Sequence, residues 1–215
     1  MDKADAALNA GTYGAFKELL AASGCIRCGL SGGRTQIVVD RGNPEAGVLF
    51  IGEAPGEKED LSGRAFVGRS GQLLDSMLRE TGFDTERDAL IVNVAKCRPP
   101  KNRAPSGEEA GACRPFLQKQ IAMVRPRLIV LLGKTALKHI LPEKKGFSMA
   151  GQAGRCFRHP DYPEAELMVL FHPAYILRDP RKKPLMAGHL KTLKEFWESH
   201  IKTGQNERAE KNENR

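Results

Sequence analysis

No stretch of this chain is apolar for the roughly 18 to 20 residues that a membrane crossing requires; its apolar runs stop at strand length. The N-terminus, with Asp2 and Asp5, lacks the basic and apolar layout of an export signal. No internal repeat is visible. Gly133-Lys-Thr135 looks like the end of a phosphate-binding loop, but the first glycine of such a loop would be residue 128, which is Leu128. Five cysteines, an odd number, without an export signal argue against a disulfide framework and for reduced thiols or metal ligands. These absences lead to the expectation of a cytoplasmic protein with no membrane partner.

What is present is an excess of positive charge, unevenly placed. The formal net charge is +8. Residues 1–60 carry six Lys/Arg against nine Asp/Glu, so the remainder holds +11. Much of it falls in three clusters: Lys96, Arg98, Lys101 and Arg103; Arg125, Arg127, Lys134, Lys138, Lys144 and Lys145; and Arg178, Arg181, Lys182 and Lys183. Phosphate backbones reward such clusters through counterion release, which points to a polyanion partner. A basic surface serving only solubility is the competing reading.

The apolar pattern predicts a helix over residues 5–22, stopped by Gly24, and a short β-like run at 36–39. Continuous apolar strands are expected at 48–51, 90–94, 127–132 and 167–171. Helices are expected at 72–79, closed by Gly82; from Ser106, with Glu109 at capping-box spacing, to about Val124; after Gly133; and from Pro184 to Ile201. Residues 52–71 read as an irregular glycine-rich functional loop, and 96–105, with three prolines, as an extended basic loop. Residues 142–166 read as irregular with a hairpin. The polar segment 204–215 reads as a disordered tail, leaving 1–203 as a single domain.

Continuous apolar strands alternating with helices indicate a mainly parallel four-stranded sheet with helices on both faces. Ligands of such folds bind beyond the carboxyl ends of the strands. Glu53, Lys134 and His172 each follow a different strand there, and Asn93 lies near the end of a fourth. Cys25-Ile-Arg-Cys28 is a metal-gripping pair, and Cys97 with Cys113 adds two thiols; spacing alone allows tetrahedral zinc or an iron–sulfur cubane. Cys156 fits neither pair and reads as a spare core thiol.

Gly52-Glu-Ala-Pro-Gly56 with Glu59-Asp60, Phe66-Val-Gly68, Asn93 before Lys96-Cys-Arg-Pro-Pro100, Asn102-Arg-Ala-Pro105, Cys113 and His172-Pro-Ala-Tyr175 together resemble the iron–sulfur uracil-DNA glycosylases, family four. The resemblance runs from about Cys25 to Trp197. It implies a three-layer α/β/α fold, a [4Fe–4S] cluster on Cys25, Cys28, Cys97 and Cys113, and hydrolysis of uracil from single- or double-stranded DNA by a monomer. Glu53 and His172 would then be catalytic, with Gly52, Ala54, Phe66 and Asn93 holding the base. An enzyme that acts on a duplex base flips it out, stacks it and reads its edge. Phe66 suits stacking, Asn93 offers a donor and an acceptor to the O4 and N3–H edge, His172 can donate toward O2, and Glu53 can orient water. Arg98, Lys101, Arg103 and Arg178 are the expected phosphate contacts. Ile176 is the expected wedge into the gap left by the flipped base, with Tyr175 or Leu177 as alternatives. Residues 96–105 contain no histidine, unlike the relatives that bind DNA covalently, so turnover is expected. A non-catalytic metal-bearing nucleic-acid-binding module is the alternative.

Overall fold

A computed structural model describes residues 3–141 and 149–202; the expected polar tail lies outside them. Six strands form one sheet: β1 (Arg41–Gly42), β2 (Val48–Gly52), β3 (Leu90–Asn93), β4 (Leu128–Leu132), β5 (Cys156–Arg158) and β6 (Glu166–Leu170), in the order β1-β3-β2-β4-β6-β5. The inner four are parallel, as the sequence indicates. Two antiparallel edge strands, β1 and β5, make the sheet mixed and six-stranded rather than four-stranded. They escape a periodicity reading because two and three residues are too few to show a period. In the run at 36–39, Ile37, Val38 and Val39 are buried while Gln36 is exposed, and the segment joins the sheet only at β1.

The helices are α1 (Lys3–Leu8), α2 (Tyr13–Ala22), α3 (Glu57–Ser62), α4 (Arg69–Arg79), α5 (Gly107–Val124), α6 (Gly133–Ile140), α7 (Met149–Gln152), α8 (Pro173–Arg178) and α9 (Lys183–Trp197). Strand residues alternate between two cores. Phe50, Ile91, Val130 and Met168 pack with Leu74 and Leu78 of α4 and Leu190 and Trp197 of α9. Leu49, Val92, Leu131 and Val169 face the other way, onto Leu117 of α5 and Leu137 and Ile140 of α6. This gives three layers with the four inner strands buried on both faces, which is why those strands are almost continuously apolar.

A third apolar cluster holds α1 and α2 against Phe116 of α5, with Phe16, Leu20 and Cys97 buried in it. The single helix expected over 5–22 is two, broken where Thr12 caps α2 by accepting from the Ala15 N–H at 3.3 Å. Ser106 caps α5 as expected: its hydroxyl accepts from Glu109 N, and Glu109 Oε2 accepts from Ser106 N at 2.7 Å.

After β2 the chain turns to β3 on one side, then crosses back so that β4 and β6 lie on the other side of β2. The loops leaving β2 and β4 therefore diverge, which opens a crevice at the carboxyl ends of the strands.

Candidate active site

The crevice is a cavity of about 800 Å³ lined by Glu53, Ala54, Phe66, Asn93 and His172 among others. The loop that forms its near wall is less irregular than its composition suggests, since it contains α3. Glu59 of that helix ties the loop together, accepting from Gly56 N at 3.1 Å and from Gly68 N at 2.6 Å.

Three contacts shape the base-sized end. Gly52 ends β2 beside Asn93, the last residue of β3. A Cβ on Gly52 would come within 2.5 Å of both Asn93 Oδ1 and the Phe66 ring, so only glycine leaves room for the two to meet there. Phe66 is held at φ +54°, a left-handed conformation that is costly for a residue with a side chain. Gly71 supports it at close range; a Cβ there would overlap the Phe66 carbonyl at 1.7 Å. Across the cavity the Phe66 and His172 ring centroids stand 5.8 Å apart, tilted by 40°.

Asn93 is 1% exposed, and neither its Nδ2 nor its Oδ1 has a hydrogen-bond partner. A buried amide lacking both bonds costs free energy on the order of 1–3 kcal/mol per group unless a ligand completes it. One donor and one acceptor side by side select a planar ligand edge bearing the complementary pair.

His172 caps α8, and its Nδ1 accepts from Ala174 N at 3.1 Å. That bond places the ring proton on Nε2, leaving a neutral donor. Burial lowers its pKa from the usual 6.5, outweighing the attraction of the nearby Glu53 carboxylate, and Arg178 adds to the lowering. A Cβ on Gly133 would sit 2.9 Å from His172 Cβ, so a glycine at the start of α6 allows the approach. Glu53 Oε2 in turn accepts from the Thr135 hydroxyl of α6, and its carbonyl accepts from Ala95 N at 3.1 Å.

Cys25, Cys28, Cys97 and Cys113 line one small cavity with Arg34, Lys96 and Phe116. Among the described residues no group of three or more His, Cys, Asp or Glu side chains is placed to hold a metal ion. Burial pushes the Cys97 thiol up to about 12 against the pull of Arg34, which donates toward its sulfur at 3.6 Å. Burial also raises Cys113, opposed by the Lys96 N–H and ammonium. Thiols of this kind become thiolates only when a metal centre displaces their protons. Cys156 is half-buried on β5 against the first core, in keeping with a spare thiol.

The DNA-facing expectations divide. Arg103 and Arg178 line the crevice. Arg103 forks onto both oxygens of Glu109 at 2.7 Å, so its charge is already matched. Arg98 donates to Asn102 Oδ1 at 2.8 Å, and Lys101 is exposed at φ +54° in a tight turn. Lys96, counted with the exposed basic cluster in the sequence, is fully buried. Ile176 is corrected as well: at 2% exposed it packs into the first core, so it is not free to enter DNA, whereas the next residue, Leu177, is 36% exposed. Lys58, Arg69 and Thr135 line the crevice without having been singled out. For Thr135 a signal existed, since Gly133-Lys-Thr135 follows a strand at the same sheet edge as Glu53.

An α/β sheet with a cavity at its switch point, an unpartnered amide, a facing aromatic and a neutral histidine donor define a protein that takes up a flat heterocycle and acts on it. Residues 39–199 match the uracil DNA glycosylase superfamily. A type-4 uracil-DNA glycosylase of Thermotoga maritima is 45% identical over 156 residues, covering 72% of this chain and 79% of that protein. One from Sulfurisphaera tokodaii is 39% identical over 176 residues, 80% of each. A type-5 uracil-DNA glycosylase of Thermus thermophilus is 32% identical over 114 residues, 46% of this chain and 52% of the other. The chain belongs to the uracil DNA glycosylase superfamily, in its type-4 branch.

Proposed function

We propose that the crevice hydrolyses the N-glycosidic bond of uracil in DNA, leaving an abasic site for repair. The observation that carries this is Asn93: its buried, unpartnered donor and acceptor lie beside Phe66 and opposite His172. Uracil offers N3–H and O4 to the amide; cytosine presents the reverse pattern and leaves two buried groups unpaired. Phe66 stacks on the flipped base.

Breaking C1′–N1 leaves positive charge on the sugar and negative charge on the base. His172 Nε2–H donates to O2 and stabilises the departing anion without giving up its proton. Glu53, steadied by Thr135, opposes the sugar charge and orients the water that supplies hydroxide to C1′; the water's remaining proton balances the uracil anion. No lysine is used as a nucleophile. Lys58, Arg69, Lys134 and Arg178 on the rim suit the flanking phosphates of single- or double-stranded DNA, bound by a monomer.

Cys25, Cys28, Cys97 and Cys113 would hold a [4Fe–4S] cluster, a reading supported by the four-thiol set and the family resemblance. Such a cluster would supply a structural cross-link among the segment that follows α2, the basic loop and α5. The relatives are named as glycosylases, which favours turnover over a non-catalytic role. Incubation with an oligonucleotide carrying one uracil should give a strand that breaks only under alkali. An unbroken strand, or an adduct trapped by borohydride, would overturn the reading.

A further inference from the structure

Among the described residues the base-reading amide has no hydrogen-bond partner, so no hydrogen bond of its own fixes its aim and the position of the residue 93 backbone matters to it. On the β2 side the strand is secured, with Val94 N donating to Gly52 O at 3.0 Å. On the other side β1 pairs only with Leu90 and Ile91 and stops short. The Asn93 carbonyl lies beyond that pairing. It is met there by the Lys96 ammonium at 2.7 Å.

Lys96 is 2% exposed. Its other acceptor is Gln120 Oε1 at 2.5 Å, and Gln120 Nε2 donates to Tyr13 OH and Val39 O. Tyr13 passes the chain on to Asp40, which also receives Lys17 at 2.7 Å. Among the described residues no carboxylate bonds the ammonium directly. The same residue also lines the cavity of the four cysteines, and Cys97 follows it in sequence. A buried ammonium with only neutral acceptors is costly, and a surface contact would be cheaper if charge alone were needed.

We propose that Lys96 is a positioning residue for uracil recognition, holding the Asn93 carbonyl so that the four-cysteine site sets the aim of the Asn93 amide. The proposal rests on the glycosylase reading above, and its test is arranged to separate the two. Wild-type excision of uracil establishes that reading; the Lys96 variant is compared only with it.

The experiment uses the full chain with its metal site filled. Lys96→Met should retain wild-type iron and sulfide content and bind uracil-containing duplex within about twofold of wild type. Single-turnover excision and affinity for free uracil should both fall about tenfold or more, as for a lost hydrogen bond from a charged donor. Adding Asn93→Ala to Lys96→Met should cost less than the two single losses combined, since both act on one group. Gln120→Leu, which removes the second acceptor and leaves the Asn93 bond, should keep the wild-type excision rate. Full activity in Lys96→Met, strictly additive losses in the double variant, or a loss in Gln120→Leu equal to that expected for Lys96→Met would overturn the proposal. The Gln120→Leu arm stands even if Lys96→Met fails to fold.

Discussion

Thr135 donates its hydroxyl proton to Glu53 Oε2 and so ties the loop leaving β2 to the first turn of α6, across the switch point of the sheet. The Glu53 carboxylate is thereby held by the element that also brings Gly133 against His172. A neutral donor on a charged acceptor contributes about 1.5–3 kcal/mol. Thr135→Val keeps the shape and removes the bond, so single-turnover excision should fall roughly tenfold to a hundredfold. DNA affinity should be unchanged. An unaltered rate would show that Glu53 is aimed by its backbone alone.

Gly52→Ala should abolish base binding rather than DNA binding. The added methyl would lie 2.5 Å from the Phe66 ring and from Asn93 Oδ1, closer than real contacts allow. Calorimetry with free uracil should show no binding, while a mobility shift with uracil-containing duplex persists. Wild-type uracil affinity in this variant would mean that the base sits elsewhere in the crevice.

The parallel sheet and the convergence of Glu53, Asn93 and His172 were legible because four long apolar runs each end in a polar residue or a turn. Three features were not. Lys96 reads as one of a basic cluster, since a one-dimensional pattern does not show that β1 stops short and leaves a carbonyl to be met. Ile176 and Leu177 are equally apolar, and six residues of helix are too few to say which faces the core. Helix α3 carries four charged residues in six and hides inside a glycine-rich loop; Glu59 turns inward only because the Gly56 and Gly68 amides await it.

The state of His172 predicts a pH dependence. Its folded pKa lies below the unfolded value of 6.5, with burial the chief cause. The unfolded chain therefore takes up this proton first, so the group's contribution to stability is full above pH 6.5 and is lost as pH falls toward the folded pKa. Excision follows the same direction, because protonating Nδ1 breaks the bond from Ala174 and turns the ring. The single-turnover rate should thus hold through neutrality and fall on the acid side, and His172→Gln should lose that acid limb. An acid limb unchanged in His172→Gln would assign it to another group.

The rim charges should separate by their existing partners. Arg178 lines the crevice, whereas Arg103 is forked onto Glu109, whose carboxyl it holds down at about 2. Each phosphate contact removed lowers the log–log salt slope of duplex binding by about 0.9. Arg178→Ala should do so. Arg103→Ala should instead release Glu109 and raise its pKa, removing a contribution to stability that in the wild type is full above pH 4.5 and fades as pH falls toward about 2. Equal salt slopes for wild type and Arg178→Ala would place the DNA off this rim.

The last prediction concerns the wedge. Successive residues of a helix point about 100° apart, so α8 cannot bury Ile176 and offer it to DNA at once. Ile176 is in the core, and Leu177 stands exposed next to Arg178 on the rim. Inserting an apolar side chain into a base step offsets the few kcal/mol of unstacking that flipping requires. That cost exists in a duplex and is largely absent in a single strand. Leu177→Ala should therefore slow excision from duplex DNA while leaving single-stranded excision and thermal stability near wild type. Ile176→Ala should do the opposite, destabilising the fold by about 2–5 kcal/mol through the cavity it leaves, with both substrates cleaved alike by the protein that remains folded. Equal slowing on both substrates by Leu177→Ala would remove it as the wedge and leave Tyr175, which lines the crevice on the same short helix, to be tested in its place.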